Sequence, residues 1–149
     1  MCIRDSGIYD ITGSTVVSGG TLNLETSTPA VIGGTQTTVS GGGTLNLENN
    51  TNTVAALTFS GGTITGTSLS SLTIGGAFIW SGGTLSEPTT MANDGINFSG
   101  SSDDFLIGAV TLTNASGQSA TIGATGDVAL LLESGATFTN AEMCIRDRM

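Results

Sequence analysis

Apolar and polar residues alternate in short runs along most of this chain. In Thr21-Leu22-Asn23-Leu24 the apolar side chains occupy every second position, and Thr44-Leu45-Asn46-Leu47 repeats that order. Alternation with a period of two places apolar side chains on one face of a β-strand and polar side chains on the other. No stretch sustains the 3.6-residue apolar period of an amphipathic helix. The pattern therefore predicts an all-β protein.

These alternating runs belong to a repeated sequence unit. Val17-Ser18-Gly19-Gly20-Thr21-Leu22-Asn23-Leu24 returns almost unchanged at residues 39–47, and looser copies cover residues 59–65, 80–86, 98–100 and 134–139. In the first five copies the serine stands at positions 18, 40, 60, 81 and 99, a period of about 20 residues. A fixed period of this length is typical of solenoids, whose repeats bury their apolar faces only by stacking on their neighbours.

Alignment of the copies on the serine places like residues in columns. The first apolar column precedes the serine and contains Val17, Val39, Phe59, Trp80 and Phe98. The second follows the glycines and contains Leu22, Leu45, Ile64, Leu85 and Phe138. Thr precedes the second column in the first four copies, and Asn, Thr or Ser follows it. Stacked coils therefore predict apolar ladders inside and hydroxyl or amide ladders outside, repeated about every 4.8 Å.

The last copy fits this alignment less well. Aligning Ser134 with the earlier serines puts Glu133 in the first apolar column, where an unpaired charge is costly. Either the register has slipped there or the alignment is wrong. The segment Val128–Leu132 is predicted to be a buried strand, because the run between the flanking glycines is short for a helix.

The two ends of the chain differ from the repeat region. Met1–Ser6 and Met143–Arg148 share the order Met-Cys-Ile-Arg-Asp, and they hold both cysteines and all three basic residues. They resemble a translated sequencing adapter. We therefore interpret residues 1–6 and 143–149 as library artefacts and residues 7–142 as a β-helix repeat fragment. At about 20 residues per coil, this fragment would form six or seven coils of a single-stranded parallel β-helix.

The charge of the chain argues against several classes of partner. The formal net charge is −9, and residues 7–142 contain no Lys, Arg, His or Cys. A segment without cations cannot neutralise phosphate groups, so we predict no nucleic-acid binding. Anionic membrane surfaces are disfavoured for the same reason. No apolar run reaches the roughly 20 residues that span a bilayer, so this segment is not predicted to insert into a membrane.

Residues 7–142 offer few groups for catalysis. The absence of His and Cys excludes Ser-His-Asp, Cys-His and histidine-based metal sites there. A glycosidase requires two converging carboxylates, whereas Asp103 and Asp104 would point to opposite faces of a strand. Glu25 and Glu48 hold matching positions in successive copies and are predicted to stack on a solvated outer face. We predict no catalytic residue and no catalysis by this segment.

Calcium is a candidate metal, because oxygen-only sites suit this composition. Asp94-Gly95 and Asp103-Asp104 could supply carboxylate ligands, but calcium requires six or more converging oxygens. The glycine-aspartate nonapeptide of calcium-binding β-rolls is absent. The sequence therefore predicts no metal site and no cofactor.

Thr-x-Thr pairs raise the hypothesis of a flat, ice-binding threonine face. They occur at 26/28, 35/37, 51/53, 63/65, 65/67, 111/113 and 137/139. Such a face requires the pairs to occupy the same position within every repeat. Counted from the Ser-Gly corner, their positions differ from one copy to the next. We therefore attribute the threonines to the general preference of strands for β-branched residues.

The Ser-Gly-Gly-Thr-Leu/Ile repeats, the stretch Phe78–Leu85 and the closing stretch Asp127–Asn140 resemble bacterial β-strand-repeat exoproteins. This group includes filamentous-haemagglutinin-like and autotransporter passenger proteins. The resemblance covers most of residues 11–140 and implies a right-handed parallel β-helix at the bacterial cell surface or outside the cell. The resemblance identifies no functional residue in this chain, because the motifs on which it rests are degenerate.

This resemblance implies a structural stalk or an adhesive scaffold, whose partners would be a host-surface glycan or protein, or further copies of the chain. The alternative is the β-helical part of a polysaccharide lyase or glycoside hydrolase whose active site lies outside this fragment. Parallel β-helices also host such enzymes, so the fold class alone does not separate the two functions.

Overall fold

The computed structural model describes residues 12–24, 30–32, 34–86, 89–100, 104–123 and 130–141. Every regular element in these ranges is a β-strand, so the prediction of an all-β protein is confirmed. The predicted artefact segments, residues 1–6 and 143–149, lie outside the described residues. The strands are β1 (Ser14–Val17), β2 (Thr21–Asn23), β3 (Ala30–Ile32), β4 (Gln36–Val39), β5 (Thr44–Asn46), β6 (Thr51–Val54), β7 (Leu57–Thr65), β8 (Ser71–Ile74), β9 (Phe78–Ser86), β10 (Thr89–Ala92), β11 (Ile96–Phe98), β12 (Asp104–Ile107), β13 (Thr111–Asn114), β14 (Ala120–Ile122), β15 (Leu130–Glu133) and β16 (Thr137–Asn140).

All strand pairs among these residues are parallel. A ten-stranded sheet contains the path β1-β4-β7-β9-β11-β14, with β2, β5, β12 and β15 beside it. A second, six-stranded sheet has the order β3-β6-β8-β10-β13-β16. In each coil the chain runs first along the β1-β4-β7-β9-β11-β14 path and then along the adjoining part of the same sheet, which contains β2, β5, β12 and β15. It then runs along the second sheet before the next coil begins. This arrangement is a β-solenoid, as the repeat period predicts.

The first predicted apolar column is confirmed in full. Its members pair in constant register from β1 to β11 and are buried: Val17, Val39, Phe59, Trp80 and Phe98. The rings of Phe59 and Trp80 have centroids 5.3 Å apart, and those of Trp80 and Phe98 are 5.8 Å apart. Aromatic contacts at these distances add to the stabilisation that burial alone provides.

The second predicted column is confirmed for Leu22, Leu45, Ile64 and Leu85, which pair in register and are buried. The assignment of Phe138 to this column was wrong. Phe138 lies in β16 of the other sheet and pairs with Leu112. The residues that continue the column are Leu106 and Leu132.

The Ser134-Gly135 copy belongs to a different corner of the coil. It lies between β15 and β16, whereas Ser18-Gly19 lies between β1 and β2. Glu133 is therefore an exposed residue of β15 that pairs with Ile107, outside the first apolar column. The alignment was the error, because a short Ser-Gly turn suits more than one corner of the same coil.

The predicted strand at Val128–Leu132 is present from Leu130 onward, and residues 128 and 129 lie outside the described residues. Its predicted burial was wrong: Leu130 and Leu131 are half-buried and Leu132 is exposed. Among the described strands β15 pairs only with β12, so no further coil covers it there.

The Ser-Gly-Gly corner takes two forms. In the second coil Gly41 and Gly42 form a turn that separates β4 from β5. In β7 and β9 a nine-residue strand continues through the corner, and their pairing shifts register between Phe59 and Thr63. Gly62 has a φ of 79° at this irregularity, a conformation that glycine adopts without the steric cost of a Cβ atom.

The two parts of the ten-stranded sheet form two walls of the core, and the six-stranded sheet forms the third. One of its inward columns contains the buried residues Ile32, Val54, Ile74, Ala92 and Asn114. The amide Nδ2 of Asn114 donates hydrogen bonds to the carbonyl oxygen of Gln118 at 2.9 Å and to Oδ1 of Asn140 at 3.0 Å. The apolar column thus ends in an amide ladder between β13 and β16.

Candidate functional site

The carboxylates singled out in the sequence lie apart in the structure. Asp94 is exposed between β10 and β11, and Asp104 begins β12. Glu25 and Asp103 lie outside the described residues, so neither the predicted Glu25–Glu48 stacking nor the Asp103–Asp104 arrangement is described. Among the described residues, no three Asp, Glu, His or Cys side chains form a group that could hold a metal ion.

Glu48 belongs to a local hydrogen-bond network on the outside of the solenoid. Its Oε1 accepts a hydrogen bond of 2.7 Å from Nδ2 of Asn46, and its backbone N–H donates to Oδ1 of Asn46 at 3.1 Å. The same Asn46 amide donates to Oδ1 of Asn23 in the preceding coil at 3.0 Å. This confirms the predicted outer amide ladder, and it gives Glu48 a structural partner.

The most regular surface of the described chain is the outer side of the six-stranded sheet. Two outward positions on each of five successive strands form a grid of ten side chains, which we call the threonine face. Its rows are Thr51 and Thr53, Ser71 and Thr73, Thr89 and Met91, Thr111 and Thr113, and Thr137 and Thr139. All ten are exposed or half-buried, and the residues between them are buried in β6, β8, β10 and β13 and half-buried in β16.

The rows of the threonine face are in register. Thr51 pairs with Ser71, Ser71 with Thr89, and Thr89 with Thr111 and onward to Thr137. No register shift interrupts these pairs, in contrast to the shift between β7 and β9 in the other sheet. Neighbouring strands are roughly 4.8 Å apart and alternate residues along a strand roughly 6.7 Å apart, so the side chains form a regular two-dimensional grid.

From the sequence, the Thr-x-Thr pairs were not expected to share one position in the repeat. For three of the pairs this expectation was wrong. Pairs 51/53, 111/113 and 137/139 lie on one sheet in one register, whereas 63/65 lies in β7 of the other sheet. Measured from the preceding corner serine, the rows at 51, 71, 89 and 111 start 11, 11, 8 and 12 residues later. The connections between corner and strand differ in length, so the serine was an unsuitable reference point. An alignment of the copies on their alternating strands would have placed these pairs at the same position of the repeat.

The fold and this surface define a parallel β-solenoid with one uniform outer face. Comparison of the chain with family models, with curated proteins and with solved structures finds no match to any of them. Within the described residues, nothing helical has the length and apolarity that a membrane crossing requires.

Proposed function

We propose that this chain is a segment of a structural stalk or adhesive scaffold of a secreted or cell-surface bacterial protein, with no catalysis of its own. The observation that supports the proposal most is the unbroken ladder from Val17 to Phe98, which keeps one register through successive coils. A coil stacked in this way contacts only its neighbours, so a solenoid lengthens by the addition of coils that each pack on the preceding one. Extension of this kind is the mechanical task of a stalk.

In this proposal the solenoid is right-handed and has six or seven coils. At roughly 4.8 Å per coil, its length would be roughly 30 Å. The formal net charge of −9 would keep neighbouring rods apart in solution through mutual repulsion. The partners of such a scaffold would be a glycan or protein on a host surface, or further copies of the chain, and they would contact outward side chains.

A long sequencing read of the source DNA across both ends of this reading frame tests the proposal. We expect the shared hexapeptides to be absent and the repeats to continue into further coils and then an anchor. Continuation into a module with clustered carboxylates or histidines would overturn the proposal in favour of a polysaccharide-degrading enzyme. Hexapeptides that are encoded in the source DNA would contradict the interpretation of the chain as an internal fragment.

A further inference from the structure

The threonine face combines three properties that differ from the rest of the described surface. Its grid is continuous, because its five strands pair without a register shift. It is uncharged: the carboxylate residues of the described ranges, Glu48, Asp94, Asp104 and Glu133, all lie outside its strands. It is also chemically uniform, since nine of its ten side chains are Thr or Ser and the tenth is Met91. The rest of the chain carries the net negative charge.

The other outward faces lack this uniformity. Beside the second apolar column, the register that contains Thr21, Thr44, Thr63 and Thr84 continues through β12 to the half-buried Leu131. The neighbouring outward column begins with Asn23 and Asn46, which are hydrogen-bonded to each other, and ends at Glu133. Among the described residues, the threonine face keeps a hydroxyl-bearing side chain in each of its five rows, from β6 to β16; in β3, the remaining strand of this sheet, Val31 is in register with Thr53.

This geometry favours a solid with a repeating lattice over a soluble ligand. A soluble small molecule is usually bound in a concave pocket by a few convergent polar groups, whereas here similar hydroxyl groups repeat across the outside of a sheet. Four strand spacings of roughly 4.8 Å give the lattice a span of roughly 19 Å. Each threonine presents a methyl group and a hydroxyl group together, which can hold water molecules in fixed positions without the strong hydration shell of an ion. Water held at regular spacings over such a grid would repeat in two dimensions, as the molecules of a crystal surface do.

We propose that the threonine face is an ice-binding surface, with the water lattice of an ice crystal as its ligand. The proposal concerns this face only and does not depend on the stalk role. Failure to bind ice would leave the apolar ladders and the extension of the reading frame untouched. Met91 is then the one defect in the array, because its side chain has no hydroxyl group and is 46 % exposed in the middle row.

The test measures incorporation of the full 149-residue chain into a slowly growing ice crystal, together with the inhibition of ice growth. Thr111→Tyr places a bulky ring in the grid while it retains a residue with high β-propensity. We expect it to reduce incorporation about tenfold, equivalent to about 1.4 kcal/mol of binding free energy. The matched control is Thr84→Tyr, a half-buried, outward position in β9 of the other sheet, which should retain the incorporation of the unmodified chain.

Met91→Thr provides a test in the opposite direction. Completing the array should increase incorporation into ice and ice-growth inhibition above those of the unmodified chain. Circular dichroism melts of all variants separate loss of binding from loss of fold. Exclusion of the unmodified, folded chain from ice would overturn the proposal, and so would equal incorporation of the folded Thr111→Tyr and Thr84→Tyr variants. Binding to crystalline cellulose or chitin in place of ice would also overturn it.

Discussion

Phe59 and Trp80 lie opposite each other in adjacent parallel strands, with ring centroids 5.3 Å apart and ring planes inclined by 32°. Both side chains are fully buried. Trp80 also lies 5.6 Å from Phe78 in its own strand and 5.8 Å from Phe98 in the next coil, measured between centroids. The indole ring is therefore the centre of an aromatic cluster that joins three successive coils.

Trp80→Ala should lower the free energy of unfolding by about 3–5 kcal/mol, because it leaves a large cavity at the centre of this cluster. Trp80→Phe should cost less, since Trp80 Nε1 has no hydrogen-bond partner among the described residues and the substitution removes that unpaired donor. Urea unfolding followed by circular dichroism measures both. Ile79→Ala is the control, because Ile79 is adjacent but 40 % exposed. An equal loss for Trp80→Ala and Ile79→Ala would contradict the assigned interior.

Leu45→Asp should prevent folding of several coils, because it places a carboxylate in a fully buried apolar ladder without a charged partner. Its neighbour Asn46 points outward, so Asn46→Asp should cost only about 1–2 kcal/mol. Thermal melts monitored by circular dichroism compare the two variants. Equal destabilisation would overturn the assignment of inward and outward positions in β5.

The cost of Asn46→Asp is expected to depend on Glu48. The substitution replaces the donor that Asn46 offers to Glu48 Oε1 by a second carboxylate. In a Glu48→Gln background the repulsion between the two carboxylates is absent, so the same substitution should cost less. A double-mutant cycle measures this coupling. A coupling energy of zero would show that the Asn46–Glu48 contact contributes nothing to stability.

Gly43→Ala should destabilise the chain, while Gly42→Ala should be nearly neutral. A Cβ atom at Gly43 would overlap the backbone carbonyl oxygen of Val17 in the preceding coil, whereas one at Gly42 would meet nothing within 4 Å. Relief of the overlap requires the coils to separate, and crowding of this kind costs about 1–3 kcal/mol. Denaturant titration of the two variants provides the comparison. Similar midpoints would mean that the coils are less closely stacked at this corner than the structure shows.

The chain should associate at modest concentration through its last described coil. Ile122 is 63 % exposed and Leu132 is 47 % exposed, and their strands β14 and β15 each have one described partner strand. Unpaired strand edges with apolar side chains promote pairing between chains. Light scattering should show less association for Ile122→Lys and Leu132→Lys. The control is Leu69→Lys, in a turn where Leu69 is 77 % exposed; an equal decrease in this variant would assign the effect to net charge.

The sequence predicted the strands and the inside of the solenoid well, because both depend on local alternation and on a repeat that brings like residues together. Val39 stacks on Val17 and Leu45 on Leu22 as predicted. The last copy was misplaced because Ser-Gly turns occur at more than one corner. Only the pairing of β13 with β16 shows that Phe138 stacks on Leu112 in the six-stranded sheet.

The amino-acid sequence by itself determined the all-β class, the repeat of about 20 residues and two of the apolar ladders, since alternation and periodicity are properties of residue order. The tertiary structure decided which outward residues share a face. Connections of different length separate Thr51, Thr89 and Thr111 from their corner serines, and hydrogen bonds between strands bring the three into one column regardless. Register is a property of paired strands, so the threonine face exists only once the coils have stacked.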